Sequence, residues 1–253
     1  MKILDIEAMS LKAWPPHELV WLDGWALGFT SGYTRRANSV FPLGPSSMPL
    51  RQQIAQCEKL YTDHNQPAIF KLTNDPTHTA VDELLGELGY VADAHTTVRA
   101  LSLKGGLPTV LSTVAKDLQT TPTLQATLSD DWLMGLQEMG AIKPETRLPC
   151  SNILGSIQPP CRFAAIWQSG KMIGTGLGVL QDRAVGLFDI YTHPAWRNQG
   201  IATRVIGALL GWAIEEGASH AWLQVVDGNT NAIHLYEGMG FEVLYRYWYR
   251  QKV

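Results

Sequence analysis

The sequence predicts a mixed α/β chain made of two similar lobes, each a mostly antiparallel mixed sheet flanked by helices. One observation is local. Leu187–Thr192 alternates at period two, stops at His193-Pro194, and leads through a glycine-bearing turn into an amphipathic helix marked by Ile201, Val205, Ile206, Leu209 and Ala213. The other is global. The order strand, helix, strand, helix, strand can be traced in both halves, and LGELGYVADAHTTVRALSL in the first lies beside YEGMGFEVLYRYWYRQKV in the second. Self-similarity at that length reads as duplication of a domain. With 253 residues, the expected division is a first lobe over 1–110 and a second over 111–253.

The elements follow from local signals. Ile6–Lys12 predicts a short helix ended by Trp14-Pro15-Pro16. Trp21–Phe29 reads as a strand and Thr34–Phe41 as its hairpin partner around Ser31-Gly32. Arg35, Arg36, Asn38 and Ser39 on that partner either bind an anion or protect a sheet edge. Leu50, Ile54, Cys57, Leu60 and Tyr61 trace a helix face, Ala68–Leu72 a strand, Ala80–Leu88 a helix and Thr96–Leu103 a strand. A connector is expected from Lys104 to about Pro122. Thr123–Leu128 then reads as a strand, and Ser129 as the cap of a helix reaching Met139. Lys143–Gln158 has a weak helical centre. Arg162–Gln168 and Lys171–Leu180 form a hairpin around Ser169-Gly170.

Gly174, Gly176 and Gly178 alternate within a strand and open no helix, so a dinucleotide-binding reading fails its context. Their bare face instead admits a close neighbour. Gly207 and Gly211 offer a similar notch on the long helix, expected against the sheet.

Where the long helix begins, Asn198, Gln199, Gly200, Ile201 and Ala202 offer backbone donors with no intrahelical partner, at the positive end of the dipole. Gly200 lets an oxyanion approach and Arg197 adds a full charge, so this turn is an anion seat.

Composition limits the partners. A net charge of -3 and the lack of a basic run give no electrostatic case for nucleic acid or a membrane surface. No apolar run approaches the ~18 residues of a spanning helix and Met1–Ser10 is too polar for a secretory segment, so a cytoplasmic protein is expected. Cys57, Cys150 and Cys161 show no metal-ligand spacing and read as reduced thiols, with no metal site.

Arg197-x-x-Gly200-x-Ala202 resembles the (Gln/Arg)-x-x-Gly-x-(Gly/Ala) signature of the GNAT acyltransferases. Asn229, Ala232, Leu235, Tyr236, Glu237, Gly240 and Phe241 match the family's Asn-x-x-Ala-x-x-Leu-Tyr-Glu-x-x-Gly-Phe block. The resemblance covers about the last half of the chain. It implies acetyl-CoA as co-substrate, held by Ile190, Tyr191, Thr192, Arg197, Asn198, Gln199, Gly200, Ile201, Ala202, Thr203, Asn229, Ala232 and Tyr236. The chain as a whole resembles a tandem GNAT protein. The first copy has PLGPSSMPLRQQI where the signature belongs, with prolines in place of N–H donors, and is expected to hold no CoA.

The implied reaction is direct acetyl transfer to a primary amine, on a small molecule or a protein lysine. Deprotonating a lysine-like amine at pH 7 costs about 4–5 kcal/mol. Tyr236 occupies the family's proton-donor position, its alternative being an aromatic that packs the helix. Asn229 resembles the residue that bonds the pantetheine arm, its alternative being a helix cap. Family members often carry a glutamate where Gly186 stands, which leaves Asp189 as base or as a structural hydrogen-bond partner. His193 and His234 read as surface or packing residues. Trp21, Trp25, Arg35 and Arg36 of the first lobe are expected to reach the acceptor cleft. The competing class is a non-catalytic CoA or acyl-CoA sensor or scaffold. Oligomeric state stays open.

Overall fold

Two-residue turns set the hairpins. The computed structural model describes residues 1–114 and 121–252. Strands β1 (Glu18–Leu22) and β2 (Trp25–Phe29) pair antiparallel, with Leu22 opposite Trp25. Asp23 and Gly24 between them have φ of 44° and 83°, the pair of left-handed residues that a tight hairpin turn requires. The single strand expected over Trp21–Phe29 is therefore a hairpin, and its Asp-Gly pair is the sequence signal for it.

The chain forms two units, Met1–Val98 with Val225–Asn229 and Leu244–Val253, and Arg99–Gln224 with Thr230–Val243. They interleave along the sequence rather than dividing at one point.

In the first unit, helix α1 (Ile3–Ala13) precedes the hairpin. After β2 a 3-10 turn, Arg35–Ala37, leads to strand β3 (Val40–Pro42). The polar residues expected on a hairpin strand lie instead in this turn. Asn38 explains it: its amide accepts from the N–H groups of Thr30 and Gly32 and donates to the carbonyls of Tyr33 and Thr34, a local alternative to a ladder. Helix α2 (Leu50–Asp63), strand β4 (Ile69–Thr73), helix α3 (Thr79–Glu87) and strand β5 (Val91–Ser102) follow. β2 pairs antiparallel with β3, and β3 runs parallel to β4. Ile54, Cys57 and Tyr61 of α2 and Val81 and Leu85 of α3 pack on Trp25, Leu27, Phe29, Phe70 and Leu72. The last strand of the chain, β11 (Glu242–Gln251), inserts between β4 and β5: Tyr247–Gln251 pair antiparallel with Ile69–Thr73.

In the second unit, helix α4 (Thr109–Val114) stands in the expected connector, of which residues 115–120 lie outside the described residues. Strand β6 (Thr123–Gln125) and helix α5 (Asp130–Glu138) follow, with the Ser129 hydroxyl accepting from the Trp132 N–H as the cap the sequence indicates. Helix α6 (Arg147–Gly155) is the weak helical centre expected within Lys143–Gln158, and it buries Cys150. Strands β7 (Cys161–Gln168), β8 (Lys171–Gln181) and β9 (Ala184–Thr192) make an antiparallel meander. Helix α7 (Ile201–Glu215) crosses to strand β10 (His220–Val226), parallel to β9, and helix α8 (Thr230–Gly238) follows. Strand pairing within each unit is thus mixed and mostly antiparallel, as the sequence predicts. Among the described residues no helix is long and apolar enough to cross a membrane.

The glycines of β8 are a seat for α7. A Cβ on Gly174 would strike Ile201, on Gly176 it would lie 2.7 Å from Val205, and on Gly178 3.2 Å from Leu209 and Trp212. The helix sits where side chains would otherwise stand. Gly207 and Gly211, expected to face the sheet, face away from it: their nearest neighbours are Leu111 of α4 and Leu107.

Candidate active site

The site is built from the end of β9 and the start of α7. Thr175 pairs with Tyr191 but Leu177 with Phe188, so two residues, Asp189 and Ile190, oppose Gly176 alone. This bulge, with Asp189 at φ 48°, breaks the alternation. Phe188 turns edge-on to Trp222, whereas Ile190 reaches the Gly176 position beside Val205 and Leu209. Phe188 and Ile190 therefore point to opposite faces, not to one face as period two suggests. Tyr191 donates from its hydroxyl to the Met139 carbonyl at 3.3 Å. The Thr192 hydroxyl is buried without a hydrogen-bond partner.

The chain then turns through a 3-10 segment, Pro194–Trp196. Nδ1 of His193 accepts from the Ala195 N–H, which makes His193 a turn cap. Asn198 and Gly200 take φ of 60° and 74° on either side of Gln199, and left-handed turn residues of this kind are the backbone from which anion-binding nests are made. The first helical bond runs from the Arg204 N–H to the Gly200 carbonyl at 3.0 Å. The N–H groups of Ile201, Ala202 and Thr203 precede it and carry the positive end of the dipole. Arg197, Asn198 and Gln199 are exposed. Arg204, which sequence reading missed, folds its guanidinium back to 3.4 Å from the Gln199 carbonyl. Its signal is an arginine one helical turn beyond Gly200.

Tyr236 lies on α8, a separate element entered from β10. It is 7% exposed and packs edge-on to Phe241 at 6.0 Å. Burial pushes its phenol up to about 12, so it holds its proton across the neutral range. Glu237 beside it receives Arg99 at 2.7 Å, and Arg99 also donates to the Phe241 carbonyl, which fixes the end of α8. Asn229 and Ala232 stand immediately before and within α8.

Gly186 cannot carry the family's glutamate in this packing, because its Cβ would lie 2.7 Å from the Trp222 ring. Asp189 sits half-buried in the bulge. Among the first-lobe residues expected at the acceptor, Trp25 is in the core, Arg35 pairs with Asp93 at 2.7 Å and Arg36 lies over the Trp14 ring. All three are occupied within their own unit, and Trp21 alone is freely exposed. Among the described residues, no group of three His, Cys, Asp or Glu side chains could hold a metal.

Residues 1–250 match the family described as "Probable histone acetyltransferase Rv0428c C-terminal". The uncharacterized N-acetyltransferase YobR of Bacillus subtilis is 25% identical over 251 residues, 99% of this chain and 98% of that protein. The thialysine N-epsilon-acetyltransferase of Mus musculus is 35% identical over 82 residues, 30% of this chain and 48% of that enzyme. Among solved structures, a GCN5-related N-acetyltransferase from Kribbella flavida shares the fold with a TM-score of 0.71 at 15% identity, over 100% of this chain and 96% of that one. A tandem GNAT protein from the clavulanic acid biosynthesis pathway shares it at 0.68 and 11% identity, over 98% of this chain and 87% of that one. The chain belongs to the Rv0428c C-terminal family, and with it to the GNAT superfamily of acyltransferases.

Proposed function

We propose that the chain transfers an acetyl group from acetyl-CoA to a primary amine, with the donor held by residues of the second half, 111–253. The observation that carries this reading is the turn itself: two left-handed residues, Asn198 and Gly200, follow Arg197 and open the 15-residue helix that carries Arg204 in its first turn. Such a turn suits the pyrophosphate of CoA. The residues Ile190, Tyr191 and Thr192 lead into it as a seat for the pantetheine arm, with Ala232 on α8.

The amine attacks the thioester carbonyl, the tetrahedral intermediate collapses, and the thiolate leaves. Tyr236 supports that departure as a hydrogen-bond donor. Its phenol, pushed up to about 12 by burial, keeps its proton across the neutral range and stands as the donor to the leaving thiolate, while the amine gives up its own proton on attack. Asp189 serves as its first acceptor, directly or through water.

The acceptor is a lysine-like aliphatic amine. The family description, a probable histone acetyltransferase, and the thialysine activity named for the mouse relative support that class. Free-thiol release from acetyl-CoA, measured with lysine, thialysine, polyamines and histone-tail peptides, tests it. Acceptor-dependent thiol release supports the proposal, and none above hydrolysis with any amine contradicts it.

A further inference from the structure

The first unit repeats the donor-binding topology of the second and fills it with its own side chains. In the second unit β9, α7, β10 and α8 succeed one another with β9 and β10 parallel. In the first, β3, α2, β4 and α3 do the same with β3 and β4 parallel. Seven residues, 43–49, separate β3 from α2, and eight, 193–200, separate β9 from α7. The end of β3 thus corresponds to Ile190–Thr192, and Gly44–Pro49 to the anion-seating turn.

Two side chains occupy those positions. His78, 4% exposed, stands between the ends of the parallel strands. Its Nδ1 accepts from the Thr73 N–H of β4 at 2.9 Å, and its Nε2 lies 2.8 Å from the Pro42 carbonyl of β3. An acceptor at Nδ1 and a carbonyl at Nε2 require the neutral tautomer with its proton on Nε2. One imidazole therefore bridges backbone groups at the ends of both strands, in the place that corresponds to the pantetheine amides.

Asp23 closes the turn. Its carboxylate accepts from the hydroxyls of Ser46 and Ser47 and from the N–H groups of Ser47 and Met48, at 2.7 to 3.1 Å. Gln53, in the first turn of α2, donates to the Leu22 and Asp23 carbonyls. Gly24 lies so close that a Cβ on it would strike the Pro45 carbonyl. The β1–β2 turn is thus pinned onto the loop before α2, and a carboxylate stands where the second unit leaves its turn exposed.

We infer that the first unit is self-ligated: His78 and Asp23 occupy the positions of the donor's amide arm and phosphates, so each chain takes up one CoA and the first unit serves as scaffold. The inference rests on the proposed donor seat of the second unit for its correspondence of positions. Amide and imidazole resonances of the whole chain, followed during titration with CoA, separate the two. The expected result is that Gly200 and Ile201 shift, whereas Ser47, Met48, Thr73 and the His78 ring stay within a tenth of the Gly200 shift. Movement of the Ser47, Met48 or Thr73 amides on the same binding curve overturns the self-ligation. Failure of Gly200 and Ile201 to move, with the first-unit signals still, sinks the donor reading of the second unit and leaves the first unit closed to CoA. A second measurement concerns what fills the seat. Asp23→Ala should lose several degrees of melting temperature, and acetate should return at least half of that loss while leaving wild type unchanged. His78→Ala should respond to imidazole in the same way. Loss in both variants without recovery overturns the assignment of these side chains as space-filling ligands.

Discussion

A Cβ on Gly186 would stand 2.7 Å from Cζ2 of Trp222 and 2.8 Å from Cε2 of Phe188. The two rings meet edge to face at 5.4 Å and use the space that a side chain at 186 would need. Gly186→Glu should therefore fail to supply a catalytic base. Overpacking costs about 1–3 kcal/mol, and burying an unpaired carboxylate adds to it. Chemical denaturation is expected to show a loss of at least that size, with no gain in turnover. Normal stability and faster acetyl transfer would mean that the rings yield readily.

The glycine row of β8 makes an equally direct prediction. Gly176→Val places two methyl groups among Ile190, Val205 and Leu209, which already lie within 3.2 Å of an added Cβ. Destabilisation of about 1–3 kcal/mol is expected, together with weaker CoA binding, because α7 carries the turn at its start. Substitution at Gly207 should be milder, since its nearest neighbour is 3.7 Å away. Equal losses at both positions would contradict this assignment of faces.

In the first unit, Glu7 accepts from the Tyr245 hydroxyl and lies 2.6 Å from Lys71 Nζ, with both charged groups buried. Lys71 also stands 4.0 Å from the Tyr247 ring centre. Glu7→Ala leaves an uncompensated ammonium in the core and should cost about 3–5 kcal/mol. Replacing Glu7 and Lys71 together by Leu and Met should recover most of that loss. A double variant no more stable than the single one would argue against charge as the cause.

Asp82 provides the pH dependence. Burial acts to raise its carboxyl, but the hydrogen bonds from Arg250 and Trp248 and the Arg250 charge outweigh it and hold the group below its ordinary 3.8. Stability from this site is full above 3.8 and is lost as pH falls through the depressed folded value. Asp82→Asn should therefore lower stability by about 1–3 kcal/mol at pH 7, with the gap to wild type narrowing as pH falls below 3.8 and through the depressed folded value. A gap that persists undiminished in acid would assign the loss to packing.

Much of this structure could be read from the chain. The α7 start, the Ser129 cap and the bare face of β8 each follow from residues whose backbone or size allows few alternatives. The bulge at Asp189 could not be read, because an apolar alternation looks the same whether or not one residue is extra. Asn38 misled for a related reason: a polar residue among apolar ones marks an edge strand or a loop staple equally well. The Gly186 and Trp222 relationship joins residues 36 positions apart in sequence, and no local pattern carries it. The aromatic run Tyr245, Tyr247, Trp248 and Tyr249 marks a final strand open to pairing with another lobe or chain, but no local pattern names Ile69–Thr73 as its partner.

The central claim is that the turn opening α7 seats the phosphates of the donor. Calorimetric titration of wild type and Gly200→Glu with acetyl-CoA tests it most directly, since the variant puts a bulky anion at a residue held at φ 74°. One site per chain is expected in wild type and none in the variant, with near-native circular dichroism in both. Undiminished affinity in a folded Gly200→Glu chain would contradict it.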